Sequence, residues 1–174
     1  MGQRVSENKQ GGTVRSLLIT GASAGIGAGL AMEFARRGCA LALAARRVDR
    51  LEAMVPALRA AGAPCVVVLA LDVADTQSIE PAVQRAAAEL GRLDVVVANA
   101  GVGHVTPVGK GKLPLIQETL QVNLLGAIAT IEAALPLFRT QGAGHVVGIT
   151  SVAAPKGLPG VGAYSASEAG LTRY

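Results

Sequence analysis

The chain has 174 residues, 51% of them hydrophobic and only 2% aromatic, with 22 glycines and a formal charge of +4. That length suits one domain with a sizeable core and is short for two, and Ala, Val, Leu and Ile must do the packing. The basic balance comes without a basic block or stacking aromatics, which argues against a nucleic-acid partner.

Residues 1–12 are polar and end in Gly-Gly, so they read as a flexible tail without the apolar core of a signal peptide. The rest, 13–174, reads as one dinucleotide-binding domain. Residues 14–20 form a short apolar strand, followed by a glycine-rich turn and a helix over 26–37 with Ile26, Leu30 and Phe34 at helical spacing. Gly38 ends that helix. A second strand spans 39–45 and a second helix 48–61, with Asp49 suited to the positive end of its dipole.

Pro64 precedes a third strand over 65–71, nearly all β-branched and aliphatic. The third helix ends near Leu90, places Ile79, Val83, Ala87 and Leu90 on one face, and has its start delayed or kinked by Pro81. Strand four is 93–98, a long helical region runs over 113–139, strand five is 145–150, and a last helix begins at Ala163. Within the long region, the low-charge stretch 124–138 carries Glu132 and Pro136 and is too short to span a bilayer, so no membrane partner is expected. Apolar strands alternating with amphipathic helices predict an α/β fold: a doubly wound parallel sheet, Rossmann-like, covered on both faces in three αβα layers.

Cys39 and Cys65 sit at the starts of strands with no metal spacing, and read as reduced thiols of a cytoplasmic protein. His104 and His145 lie far apart without a Cys partner, so no metal site is expected.

The segment Thr20-Gly21-Ala22-Ser23-Ala24-Gly25-Ile26-Gly27 joins the first strand to the first helix. Glycines there allow a tight turn, close approach of backbone N–H groups to a pyrophosphate, and close helix-on-strand packing. The helix N-terminus adds unpaired donors and a positive dipole. At the end of strand two, where a carboxylate would bind a ribose 2′-hydroxyl, the chain reads Ala45-Arg46-Arg47. A guanidinium would pair with a 2′-phosphate and a carboxylate would repel one, so NADP(H) is expected over NAD(H). Arg46, the first of the two, is expected to make that contact, with Arg47 a second candidate or a solvated surface residue.

The Gly-xxx-Gly-x-Gly spacing, Asn99-Ala100-Gly101 after strand four, Ser151 after strand five and Tyr164 thirteen residues later together resemble the short-chain dehydrogenase/reductase family, from about Ser16 to Tyr174. The resemblance implies hydride transfer between a nicotinamide and a carbonyl or secondary alcohol. It implies Tyr164 as the proton donor or acceptor, Ser151 as the hydrogen-bond partner of the substrate oxygen, and Asn123 as the holder of a relay water. It assigns Gly21, Ser23, Ala24, Gly25, Ile26 and Gly27 to the pyrophosphate turn. Asp72 and Val73 would contact the adenine, the alternative being that Asp72 only starts a turn. Asn99, Ala100 and Gly101 would lie beside the nicotinamide half, Asn99 in a structural role. Val102, Val105, Val152, Leu158 and Val161 would wall an apolar ketone or alcohol, or serve as ordinary core.

One member of the pattern is absent. The family places a lysine four residues after the tyrosine, and this chain has Glu168 there, one helical turn from Tyr164. A phenol ordinarily titrates near pH ~10, and a nearby cation lowers that where a carboxylate favours the neutral form. The resemblance also implies further strands and a substrate-covering segment after residue 174, leaving strand five as an apolar edge. Those features lead to an expected impaired reductase that forms homo-oligomers through exposed apolar surface. A catalytically silent NADP(H)-binding protein, or a fragment of a larger assembly, is the alternative.

Overall fold

A computed structural model describes residues 16–174. The expected tail over 1–12 and the start of the first strand at Val14 and Arg15 lie outside the described residues. Five strands form one parallel sheet: β1 (Ser16–Thr20), β2 (Ala40–Ala45), β3 (Val66–Ala70), β4 (Val95–Ala98) and β5 (His145–Gly148), in the order β3-β2-β1-β4-β5. Leu18 sits opposite Ala42 on one side and Val96 on the other, so β1 is the centre of the register.

Successive residues of these strands feed opposite cores, because side chains alternate across a pleated sheet. Leu17, Ile19, Leu41 and Leu43 pack with α1 (Gly25–Arg36) and α2 (Val48–Ala61), where Ala31, Ala35, Leu51 and Leu58 are buried. Leu18, Ala42, Val67 and Val96 pack on the other face with α3 (Ile79–Leu90) and the long helix 113–141. Both faces are therefore dry, which is why the strands read as unbroken apolar runs. Strand order reverses between β1 and β4, and the crevice at their carboxyl ends is where such sheets bind ligands.

Several sequence expectations need correction. The inner face of α1 is Gly27, Ala31 and Ala35, and Ile26 is 63% exposed. Leu30 and Phe34 of the expected stripe do pack against the core, partly buried at the sides of a contact line that small residues fill, and only Ile26 leaves it. On α3 the buried face is Ile79, Val83 and Ala86, with Ala87 and Leu90 only partly covered. Pro81 causes no break because it lies in the first turn, after a short 3₁₀ turn at Thr76–Ser78, where a missing N–H costs nothing. Cys39 precedes β2 and is buried, whereas Cys65 precedes β3 and is half-buried against the opposite core.

The long helix has three parts, α4 (Leu113–Leu120), a π-helical stretch Gln121–Gly126, and α5 (Ala127–Gln141). At 29 residues it is long and apolar enough to cross a membrane, contrary to the shorter segment expected from the sequence. The π turns keep the helix continuous through Gln121–Gly126. Its inner face, including Val122, Ala134 and Phe138, is buried on the sheet.

β5 lies at the sheet edge, with His145 and Gly148 exposed and Val146 and Val147 half-buried. The last helix, α6 (Gly162–Arg173), covers the end of β4 through Leu171, Ala98 and Ala127. It also lies against the long helix: a Cβ on Gly170 would stand 3.0 Å from a Leu124 methyl. These two helices thus cover one another's apolar sides, which the sequence alone left open.

Candidate active site

A cleft of about 650 Å³ opens at the carboxyl ends of the strands. Thr20 prepares its floor. The hydroxyl donates to Val97 O at 3.3 Å and accepts from the N–H groups of Asn99 (3.0 Å) and Ala100 (3.2 Å), using all its capacity. Asn99 then donates from Nδ2 to Thr20 O at 2.9 Å, locking the end of β4 to the glycine turn.

That turn leaves no room for a side chain at Gly21 or Gly27. Gly21 has φ +67°, and a Cβ there would stand 2.7 Å from Ala100 Cα. A Cβ on Gly27 would stand 2.6 Å from both Asn99 Nδ2 and Gly21 O. Ala24 enters α1 in an extended conformation with no side-chain cap, so the first-turn N–H groups face the cleft without a protein acceptor from the cap position. Ser23, Ala24, Gly25 and Ile26 line that rim, and Ile26 is exposed because it faces the cleft. A backbone cradle with a positive helix end fits a diphosphate.

Arg46 and Arg47 stand at the same rim. Arg47, read from sequence as a second candidate or a surface residue, donates to Ser23 Oγ at 3.1 and 3.3 Å and so arches over the turn. Arg46 faces Asp72 at 3.9 Å, with both side chains largely exposed. Asp72 Oδ1 also accepts from Ala74 N at 3.0 Å, which is the turn-starting geometry. Val73 is buried and touches the long helix, where a Cβ on Gly126 would meet Val73 O at 2.7 Å.

The other end of the cleft collects Gly101, Val102, Asn123, Ser151, Tyr164 and Glu168. Asn123 lies in the π-helical stretch, a local widening often found at functional positions. Its Oδ1 accepts from Val102 N at 2.8 Å and its Nδ2 donates to Val102 O at 2.9 Å, clamping the loop after β4. The same Nδ2 reaches Ser167 Oγ at 3.3 Å, and Ser167 donates to Tyr164 O at 2.7 Å. Ser151 Oγ accepts from Ala153 N at 3.2 Å. Of the five wall residues expected from the sequence only Val102 lines the cleft; Val105, Val152 and Leu158 are exposed.

Glu168 is 6% exposed and lines the cleft. Burial pushes its carboxyl above the ordinary value, opposed by hydrogen bonds from the Asn123 side chain and the Ser151 backbone. Among the described residues, no ion pair reaches it.

Thr106 is a residue that sequence reasoning missed. It is 2% exposed, forms an isolated parallel bridge with Val161, and its N–H donates to Gly160 O at 2.7 Å. Its Oγ1 accepts from Ala163 N at 3.3 Å. α6 has no side-chain cap of its own at Val161, so a hydroxyl 57 positions earlier caps the helix that carries Tyr164. A cap from so far along the chain leaves no local pattern to find. His104, by contrast, pairs with Glu118 at 3.0 Å. Among the described residues no cluster of three potential metal ligands occurs.

The sheet order and this cleft define a doubly wound α/β protein with its cleft at the carboxyl ends of the strands. The short chain dehydrogenase family model matches residues 15–174, and the chain belongs to that family of oxidoreductases. It is 43% identical over 163 residues to an uncharacterized oxidoreductase of Mycobacterium tuberculosis (strain ATCC 25618 / H37Rv), covering 92% of this chain and 64% of that relative. An alcohol dehydrogenase from the archaeon Thermococcus sibiricus, complexed with 5-hydroxy-NADP, superposes with a TM-score of 0.85 at 36% identity, over 91% of this chain and 67% of that one. A xylitol dehydrogenase with NAD+ bound gives 0.87 at 28% identity, over 91% and 61%. The chain thus spans somewhat under two thirds of the length of the curated relative.

Proposed function

We propose that the chain carries the dinucleotide site and proton-transfer groups of an NADP(H)-dependent carbonyl reductase or secondary-alcohol dehydrogenase, with its chemistry impaired by Glu168. The observation that carries this reading is the single cleft in which the glycine turn and Arg46 meet Asn123, Ser151 and Tyr164. When bound, the nicotinamide supplies or accepts the hydride. Ser151 would orient the substrate oxygen, Tyr164 would exchange the proton with it, and Asn123 would hold the relay water. The N–H groups of residues 23–27 would take the diphosphate, with Gly21 allowing the turn. Arg46 and Arg47 would take a 2′-phosphate in charge-assisted bonds, Asp72 and Val73 the adenine, and Asn99, Ala100 and Gly101 the nicotinamide side. An apolar ketone or secondary alcohol is the substrate class that Val102 favours.

Glu168 is also the observation that favours a second reading, a catalytically silent NADP(H)-binding protein or part of a larger assembly. The half-buried apolar edge at β5 supports a homo-oligomer. Cys39 and Cys65, which form no disulfide, suit a reducing, cytoplasmic setting, and burial pushes the Cys39 thiol up, against the pull of Arg37, toward an inert form. The long helix reads as a core helix because its inner face is buried on the sheet, and no membrane or nucleic-acid partner is proposed.

The test is calorimetric titration with NADPH and NADH, followed by turnover of a panel of ketones. Tighter NADPH binding with slow turnover is expected. Equal affinities would remove the cofactor preference, and brisk turnover by the unmodified chain would remove the impairment.

A further inference from the structure

Glu168 holds an unusual position for a carboxyl group. It is almost fully buried, lines the cleft, and has no cation within ion-pair reach among the described residues. The groups that face it are neutral. From its own helix the neighbour one turn back is Tyr164; from the long helix it is Asn123, and from the end of β5 it is Ser151. The charged residues on the flanking elements are engaged elsewhere or lie on the surface. Glu118 pairs with His104, Glu132 accepts from the Tyr174 hydroxyl, and Arg173 and Lys156 are exposed. Arg46, Arg47 and Asp72 stand at the opposite end of the cleft.

An ionised carboxylate in such a place has lost water without gaining a counter-charge, whereas an un-ionised acid loses far less. A ligand bearing a diphosphate adds negative charge and excludes more water, and both effects favour the neutral form further. We propose that, with a dinucleotide bound, Glu168 serves this cleft as an un-ionised carboxylic acid, donating its proton in a hydrogen bond, and that dinucleotide binding draws that proton from solvent onto it. The inference rests on the dinucleotide reading above and assigns a binding role to a residue which departs from the family pattern. A carboxylic acid kept neutral by its surroundings is a competent hydrogen-bond donor. Glu168 thereby supplies a donor where the family has an ammonium, although without the positive charge. The balance is simple: the carboxylate gains one proton, buffer loses one, and no other bond changes.

NADH is the suitable probe, because its diphosphate does not titrate near neutral pH, whereas a phosphate monoester such as the 2′-phosphate of NADPH titrates near pH ~6. Calorimetry of the full chain in two buffers of different ionisation enthalpy measures protons taken up per NADH bound. Proton uptake is expected, with affinity falling by as much as about tenfold per unit as pH rises above the neutral range. Glu168→Gln should bind NADH with uptake abolished and with affinity independent of pH over the same range. An infrared difference spectrum of the unmodified chain, with and without NADH, needs no variant: a protonated-carboxyl band should grow as a carboxylate band shrinks. NADH binding without proton uptake, or an unchanged pH slope in Glu168→Gln, would overturn this inference alone. Failure of both NADH and NADPH to bind at any pH would overturn it together with the dinucleotide reading.

Discussion

The two ends of the cleft are built by different means. The glycine-turn end is made of backbone: Gly21, Gly27, the first turn of α1 and the Thr20–Asn99 lock fix its shape, and Arg46 and Arg47 add positive charge. The other end is made of side chains held by side chains, with Asn123 clamping Val102 and Thr106 capping α6 from a distant loop. A backbone cradle depends on residues that must be absent of bulk, and it tolerates almost no substitution. At the side-chain end the cleft is well formed with a carboxyl buried in its wall at Glu168, since Asn123 and Thr106 set the shape without it. Shape and electrostatics are separable at this end in a way they are not at the other.

The sharpest break in that contrast comes from Gly27→Val. With 2.6 Å to both Asn99 Nδ2 and Gly21 O, the added side chain must force the turn and the end of β4 apart. Overpacking of this kind costs roughly 1–3 kcal/mol or more. A loss of dinucleotide affinity of roughly five- to a hundredfold is expected, since each 1.4 kcal/mol is tenfold. Calorimetric titration with NADPH checks it, and affinity within threefold or so of the parent would show that the cradle can yield.

Arg46→Asp sharpens the comparison at the charged rim. It replaces the cation that now stands 3.9 Å from Asp72 by an anion, so that a 2′-phosphate would meet two carboxylates at this rim. Hydrogen bonds to charged groups contribute roughly 1.5–3 kcal/mol, so the NADPH-to-NADH affinity ratio should fall by about ten- to a hundredfold. The ratio of dissociation constants is the measurement. An unchanged ratio would move the discrimination to Arg47, which the structure ties to Ser23.

The smallest expected effect is on stability. Burial raises the Glu168 carboxyl above its ordinary value, so its contribution to folding is fully present below the unfolded carboxyl value and is lost as pH rises through the folded one. Where it is ionised, the buried carboxylate is therefore destabilising to the parent chain. Glu168→Gln should raise the thermal midpoint at pH 7 by a few degrees, about 2–4 °C per kcal/mol for a chain of this size, and lose that advantage in acid. Thermal melts at the two pH values check the sign; a lower midpoint for Glu168→Gln at pH 7 would mean that the carboxylate is held by more than Asn123 and Ser151.

The sequence by itself determined the order of strands and helices, because the pattern needed is local. Unbroken apolar runs such as 41–45 are buried on both faces, and α2 over Val48–Ala61 was legible to the residue. The glycine turn was legible too, since only glycine satisfies a positive φ at Gly21 and the contact at Gly27. The cleft members were legible from their spacing within a family pattern. Tertiary structure alone decided which helix face is buried. Periodicity weights bulk and pointed to Ile26, Leu30 and Phe34; Leu30 and Phe34 do pack on the core, but close approach to the sheet put Gly27, Ala31 and Ala35 at the centre of the contact and left Ile26 exposed. It decided that Arg47 leans on Ser23, that Thr106 caps α6, and that the long helix and α6 cover one another. These contacts join residues 24, 57 and 46 positions apart, respectively. Partners that distant are chosen by how the layers close on each other, and no local periodicity carries that information.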